Sequence, residues 1–269
     1  MKWLNLDNPV ALWWIFLVSV TFLNLIFLIW LNLYRKTKKS YFTDKLFFLS
    51  SIYTIICAYR SVFPKADVQR IALFDTWLSS VFLGRTLATI AELAFVAQWA
   101  LVLTSYSKSV KEKRALVLAS FILPLITLAE VFSWYAVIST NYLGNTLEES
   151  LWALTYSLIF FCLMFLHKTL TPPLKLASKI ASLGSFFYVL FMVLVDVPMY
   201  WNRYLADELV HKKYFSFMDG IIDLNTRWQV TYNISDWRSE IPWMSLYFSF
   251  AVWVSLALTF IPEPSGKKE

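Results

Sequence analysis

The chain of 269 residues is 58% hydrophobic and 19% aromatic, with only 16% charged residues and a formal net charge of +6. A soluble domain of this length has about a quarter charged residues, and a disordered chain has far fewer apolar ones, so the composition excludes both classes. Two Cys and two His argue against a disulfide scaffold and against most metal or redox chemistry. The composition is that of an integral membrane protein.

Runs of about 20 largely apolar residues between charged residues are typical of membrane-spanning helices. The first run is longer than a signal-peptide core, and the basic cluster Arg35-Lys36-Thr37-Lys38-Lys39 follows it directly, so we expect it to be retained as a span. The second and fifth runs are the shortest. We predict an all-α fold, a polytopic transmembrane helical bundle with seven spans, at about residues 9–34, 46–63, 71–105, 115–138, 151–166, 180–201 and 241–261.

Lysine and arginine are concentrated in the connections expected on one side of the membrane. If the N-terminus is outside, residues 35–45, 108–114, 168–179 and 263–269 face inward and hold 14 of the 24 basic residues. Because short cytoplasmic connections carry an excess of Lys and Arg, the predicted topology is N-out and C-in. The positive net charge follows from this bias, and we expect no nucleic-acid partner.

Residues 202–240 form the one sizeable segment outside the predicted spans, on the predicted outer side. Acidic and basic residues nearly balance there, and Trp and Tyr residues lie among them, which favours the head-group level over free solvent. We predict an aromatic extracytoplasmic cap, with an interfacial helix from Tyr204 to Phe217 and a turn at Asp219-Gly220. The cap is either an interfacial belt or a lid over a pocket. The chain has no linker or repeat, so residues 1–269 are predicted to form a single integral membrane domain.

Ionisable residues within a bilayer are costly and almost always face the bundle interior or a wet cavity. Six of them fall in the middle or outer half of the predicted spans or close to their outer ends, and this one-sided placement predicts an outward-facing buried polar pocket beneath the cap. They are Arg60, Asp75, Arg85, Glu92, Glu130 and Asp196.

Structural roles are the alternative for these residues. Arg60 would snorkel to the head groups, Asp75 would cap a helix start, and the deeper Arg85, Glu92 and Glu130 would form interhelical ion pairs. Arg85 and Glu92 share one face of the third span but lie about 10 Å apart along its axis. We therefore expect each of them to find its partner on another helix.

Several chemistries are excluded by residue type. No predicted span has an interior lysine for a retinal Schiff base, and His167 and His211 are at opposite ends of the predicted bundle, so they cannot share a haem. Cys57 and Cys162 lie within spans as packing residues. Asp207 and His211 supply only two ligands, which is a weak metal signal, and five Gly do not provide a phosphate-binding loop. We expect no cofactor and no metal.

Three classes of function remain. In the leading hypothesis the protein binds or transports a lipid or a small anionic or amphipathic ligand. Arg85, with or without Arg60, holds the anion, Glu92 and Glu130 balance that charge or carry a proton, and the cap gates access.

The first alternative is an integral-membrane enzyme that acts on a lipid-type substrate at the outer face, with Glu92, Glu130 or Asp196 as acid–base groups. The second is a structural subunit or assembly factor with a membrane-protein partner. In every case the lipid bilayer is a partner, and the expected location is a bacterial inner membrane or a plasma membrane.

Overall fold

The computed structural model describes residues 7–34 and 40–264. Within these residues every element is helical apart from three two-residue strands, so the all-α class is confirmed. The helices are α1 (Pro9–Tyr34), α2 (Tyr41–Val62), α3 (Val81–Ser109), α4 (Lys113–Ser139), α5 (Tyr142–His167), α6 (Pro172–Phe191), α7 (Val197–Leu209), α8 (Phe217–Thr226), α9 (Ile234–Trp237), α10 (Glu240–Leu246) and α11 (Val252–Leu258). The π-helical segment Met192–Asp196 joins α6 to α7, and a second one, Tyr247–Ala251, joins α10 to α11.

Six helical stretches in the described part of the chain are long and apolar enough to cross a bilayer. They are Pro9–Tyr34, Val81–Ser109, Lys113–Ser139, Tyr142–His167, Pro172–Leu209 and Glu240–Leu258. The chain thus has the multi-pass helical character of an integral membrane protein. Helix α2 has 22 residues but is too polar to be counted among them, so seven spans and the orientation are not confirmed.

Several predicted spans begin at different residues in the structure, and the third and fifth differ most. Helix α5 begins at Tyr142 rather than at residue 151, because Asn141 caps it by accepting a hydrogen bond from the Leu143 amide at 2.9 Å. The sequence-based bound was wrong because Glu148 and Glu149 interrupt the apolar run, although they lie inside the helix.

The third predicted span started at residue 71, but α3 begins only at Val81. Strand β1 (Lys65–Ala66) pairs antiparallel with β2 (Ile71–Ala72), which pairs parallel with β3 (Gln229–Val230). A 3₁₀ turn, Trp77–Ser79, lies between β2 and α3, and the Thr76 hydroxyl caps it. An apolar run alone does not show where such a short sheet replaces a helix.

The cap contains helices, but not those predicted. A helix from Tyr204 to Phe217 was expected, whereas α7 ends at Leu209 and α8 begins at Phe217, with the predicted Asp219-Gly220 turn inside α8. His211 has a φ of 50°, its amide donates to Glu208 O, and the Lys212 amide donates to Asp207 O, each at 3.0 Å. This is a Schellman ending with His211 in the left-handed position. Sequence analysis missed it because that position usually holds Gly or Asn.

The chain divides into two compact units. The first comprises the described residues up to Phe95 together with Phe217–Phe260, and the second comprises Val96–Ser216 together with the described residues from Ile261. In the first unit, Trp13 packs on the fully buried Trp237 at 5.4 Å between ring centroids. Arg70 forms an ion pair with Asp223 of α8 at 2.7 Å. That pair and the small sheet attach α8 and the segment after it to residues 65–72.

The second unit depends on a close approach of α4 and α5 at Gly144. A Cβ added at Gly144 would lie 2.7 Å from the Ala136 Cβ, from the Ala136 amide nitrogen and from the Phe132 carbonyl oxygen. Small residues allow helices in membranes to approach closely, so Gly144 is a packing position. Gly184 of α6 has no atom within 4 Å of the same hypothetical Cβ.

Replacing Gly144 by Ala should therefore destabilise the protein by about 1–3 kcal/mol, the usual cost of overpacking a close contact. Gly184→Ala is the matched control and should be neutral or stabilising by up to about 1 kcal/mol through helix propensity. Unfolding of each variant in detergent measures the difference. Equal stability of the two variants would contradict the close approach.

Candidate functional site

The six predicted site residues are divided between the two units. Arg60, Asp75, Arg85 and Glu92 belong to the first unit, and Glu130 and Asp196 belong to the second.

Arg85 and Glu92 form a direct ion pair within α3. The Arg85 Nη2 to Glu92 Oε2 distance is 3.0 Å, and each residue is only 6% exposed. The expectation that the two residues lie too far apart along α3 to pair with each other is wrong. Helical side chains lean toward the N-terminus, so Glu92 leans toward Arg85, and the long arginine side chain extends along the axis to meet it. Together they cover the axial separation of about 10 Å.

A tyrosine that sequence analysis did not single out completes this pair. Tyr247, the first residue of the second π-helical segment, donates its hydroxyl to Glu92 Oε1 at 3.2 Å. Tyr53 of α2 stacks on Phe95 at 4.8 Å and meets the Tyr247 ring edge-on at 5.7 Å. Both oxygens of the buried Glu92 carboxylate thus accept hydrogen bonds, which buried polar groups require.

Asn24 of α1 fixes the π-helical segment that carries Tyr247. Its amide donates to the Phe248 carbonyl at 3.0 Å, and its carbonyl accepts from Trp253 Nε1 at 2.9 Å. A π-helical turn departs from the regular i→i−4 ladder, so a side-chain partner for a carbonyl there is valuable. Asn24 was detectable in the sequence as an amide in the middle of a largely apolar helix.

Arg60, near the end of α2, lies against an aromatic surface. Its guanidinium carbon is 5.4 Å from the Tyr247 ring centroid and 5.6 Å from that of Phe248. Within residues 7–34 and 40–264 it makes no hydrogen bond or close ion pair. A guanidinium carries five N–H donors. The Arg60 side chain is therefore held by ring faces while its donors stay available.

Lys65 is a buried cation that sequence analysis assigned to an exposed connection. It is 2% exposed, and its ammonium donates to the Leu78 and Ser80 carbonyls at 2.9 and 3.1 Å. A Cβ at Gly84 would lie 2.5 Å from Lys65 Cδ, so Gly84 leaves room for the lysine stem. Burial lowers the pKa of Lys65 from 10.5 to about 8.

Asp75 does not join these buried groups. It is exposed, and the neighbouring Thr76, rather than Asp75, caps the 3₁₀ turn. Its negative charge instead helps burial to raise the pKa of Tyr232. The structure thus gives Asp75 a local role at the surface of the first unit.

In the second unit Glu130 of α4 and Asp196 of the first π-helical segment are buried. Pro198 follows Asp196 by two residues, and a proline lacks the amide and the space for a regular α-helical turn, which accounts for the widened helix. Glu148 of α5 is a further buried carboxylate, and it accepts a hydrogen bond from Asn145 Nδ2 at 3.2 Å. Sequence analysis missed Glu148 because the fifth span was started after it.

Metal ligation was tested across the described residues, 7–34 and 40–264. No group of three or more His, Cys, Asp or Glu side chains there is placed to hold a metal ion. Asp207, one half of the weak Asp207–His211 metal signal, is paired with Lys212 at 2.6 Å.

Comparison of the chain with known protein families, with curated proteins and with solved structures finds no match.

Removing one partner of the Arg85–Glu92 pair should be strongly destabilising, because it leaves a buried charge uncompensated. Arg85→Met is expected to cost about 3–5 kcal/mol, whereas Arg85→Met combined with Glu92→Gln should recover much of that loss. Unfolding free energies of the two single variants and the double variant form the measurement.

The exposed Arg114, which pairs with Glu112 at the same 3.0 Å nitrogen–oxygen distance, is the control. Arg114→Met should change stability little, because solvent screens this pair and Glu112 still caps α4. Additive effects at Arg85 and Glu92 would show that the buried pair has no coupling energy.

Lys65 should make stability depend on alkaline pH. The unfolded chain keeps this proton up to a pKa of 10.5, whereas the folded protein releases it near 8, so stability should rise between these pH values. The rise is about 3 kcal/mol for a pKa difference of this size. Lys65→Met should remove that rise, and Lys213→Met, at an exposed lysine, should keep it. Stability curves of wild type and Lys65→Met that stay parallel from pH 7 to 10.5 would contradict the burial of this amine.

Proposed function

We propose that this membrane protein binds an anionic amphiphile in its first unit and that Arg60 is the residue that contacts the anion. The observation that carries the proposal is the position of Arg60 on the Tyr247 and Phe248 rings without a hydrogen-bond acceptor among the described residues. Cation–π contacts orient a guanidinium but leave its N–H donors unused. A carboxylate or phosphate is the partner that fits such a planar fork.

The charge balance around Arg60 also supports an anionic ligand. Arg60 interacts electrostatically with Asp67, Glu92 and Arg85, and Lys65 interacts with Asp67 and Arg60. These groups comprise three cations and two carboxylates, so one positive charge remains after the carboxylates are balanced. Removing unbalanced charge from water is costly, and a bound anion would offset that cost.

The surroundings favour an amphiphile over a fully polar anion. Apolar rings form the surface on which the guanidinium lies, and the described part of the chain has six helical stretches apolar enough for a bilayer. Ligand sites usually combine apolar walls with a few polar groups that fix orientation. An amphiphile with its anionic head group at Arg60 and its apolar tail along these rings matches a site of this kind.

The proposal gives Arg85 and Glu92 a positioning role. Glu92 accepts from Arg85 and from Tyr247, and it thereby holds the ring on which Arg60 lies. This differs from the sequence-based hypothesis, in which Arg85 contacts the ligand directly. Glu130 and Asp196 belong to the other unit and take no part in the proposed contact.

The proposal includes α2 as a seventh span. Its hydroxyl-bearing residues Ser50, Tyr53 and Thr54 are buried, whereas Phe48 and Ile55 are exposed. A helix that buries polar groups and exposes apolar ones suits an apolar solvent. Its 22 residues, at about 1.5 Å each, also match a hydrocarbon core of about 30 Å.

Binding of dodecyl phosphate to the protein in a neutral maltoside detergent tests this function. Calorimetry should show binding to wild type, at least about tenfold weaker binding to Arg60→Met, and an intermediate affinity for Arg60→Lys, which keeps the charge but loses the fork. Arg238→Met removes an exposed arginine of the same unit and should bind like wild type.

Two results would overturn the proposal. One is equal affinity of wild type and Arg60→Met for dodecyl phosphate. The other is equal affinity of wild type for dodecyl phosphate and zwitterionic dodecylphosphocholine. Arg60→Lys keeps the experiment decisive if Arg60→Met does not fold.

A further inference from the structure

The second unit has an open groove on the outside of α4 and α5 that none of the predicted site residues lines. It has a volume of about 490 Å³ and is lined by Lys113, Arg114, Val117, Leu118, Phe161 and Phe165. This volume is within the usual range for small-molecule sites, about 300–1,000 Å³. Cationic side chains occupy one end of the groove, and apolar side chains form the rest of its wall.

We infer that this groove binds one anionic phospholipid, with the phosphate at Lys113 and Arg114 and an acyl chain along the apolar wall. The proposed ligand is distinct from the one at Arg60, since the groove belongs wholly to the second unit.

Helices α4 and α5 contact each other beside the groove. Ala115 of α4 and Cys162 of α5 are fully buried, and the Cys162 thiol donates to the Ala115 carbonyl at 3.4 Å. Val117 and Phe161, which line the groove, remain exposed. The wall of the groove is therefore carried by two helices that are bonded to each other at this level.

The cationic end of the groove is fixed in place. The Arg114 guanidinium carbon lies 4.4 Å from the Phe165 ring centroid, so the arginine is held over the wall of the groove. Glu112 accepts from Arg114 Nε at 3.0 Å and from Nη2 at 3.3 Å, which leaves further N–H donors of the guanidinium available.

Charge complementarity identifies the occupant. Glu112 balances Arg114, while Lys113 is exposed and makes no ion pair within residues 7–34 and 40–264, so the end of the groove keeps a net positive charge. Cations in the first turn of α4 also oppose the helix macrodipole, so they do not serve helix stability. Basic residues at the ends of membrane helices attract anionic head groups, by about 1 kcal/mol each.

Native mass spectrometry of the detergent-solubilised protein with equal amounts of phosphatidylglycerol and phosphatidylcholine tests this inference. Wild type should retain one phosphatidylglycerol per chain in preference to phosphatidylcholine. Arg114→Gln should weaken retention about fivefold, the factor that corresponds to one head-group contact. Lys179→Gln, at an exposed lysine of α6 outside the groove, should leave retention unchanged.

A steric variant gives a second measurement. Val117→Trp fills the groove and should remove one bound phosphatidylglycerol per chain, whereas Val131→Trp on the same helix, at a similarly exposed valine outside the groove, should keep it; the exposed fractions are 56% and 60%. The same loss is expected in an Arg60→Met background, which separates this site from the proposed function. Unchanged retention by Val117→Trp, or equal retention of both phospholipids by wild type, would overturn the inference.

Discussion

A carboxylate loses several kcal/mol of solvation when it leaves water for an apolar interior, and it has to recover that loss from nearby donors. Glu92 does so through Arg85 and Tyr247, one donor for each oxygen. Tyr247 is carried by a π-helical segment, and Asn24 bonds the carbonyl of the next residue, Phe248. The hydrogen bonds that satisfy this buried charge thus connect α3 with the segment between α10 and α11 and, through Asn24, that segment with α1. They also fix the Tyr247 ring on which Arg60 lies.

The two proposed anion sites follow the same electrostatic logic in separate units. In the first unit Glu92 forms an ion pair with Arg85, while Arg60 lies on aromatic rings with its donors available. In the second unit Glu112 forms an ion pair with Arg114, while Lys113 lies at the end of an apolar groove. In each case an ion pair engages a neighbouring carboxylate, and both proposals assign the adjacent cation to an external anion. Under these proposals the apolar walls favour anions that carry hydrocarbon.

Sequence patterns predicted the helical class and the approximate position of most apolar helices, because a bilayer requires long apolar runs. They failed where a local interaction interrupts such a run. Asn141 starts α5 nine residues early, His211 ends α7 through a left-handed residue, and the strands at Lys65 and Ile71 delay α3. The position of Arg85 and Glu92 deep within the predicted span correctly indicated that both are buried. Their axial separation did not predict that they pair directly, because it neglects the length of the two side chains. Tyr247 and Lys65 carry no sequence signal, since only the fold reveals their burial and partners.

Polar side chains also explain how the helices of the first unit stay together. Between helices in lipid, the hydrophobic effect offers little driving force, so close packing and interhelical hydrogen bonds replace it. Ser50 of α2 bonds Ser255 of α11 at 3.0 Å, and Asn24 of α1 bonds Trp253 of the same helix. These contacts join three helices around the buried Glu92 cluster. Ser50 is thus both one of the polar residues that lower the apolarity of α2 and a residue that holds α2 against α11.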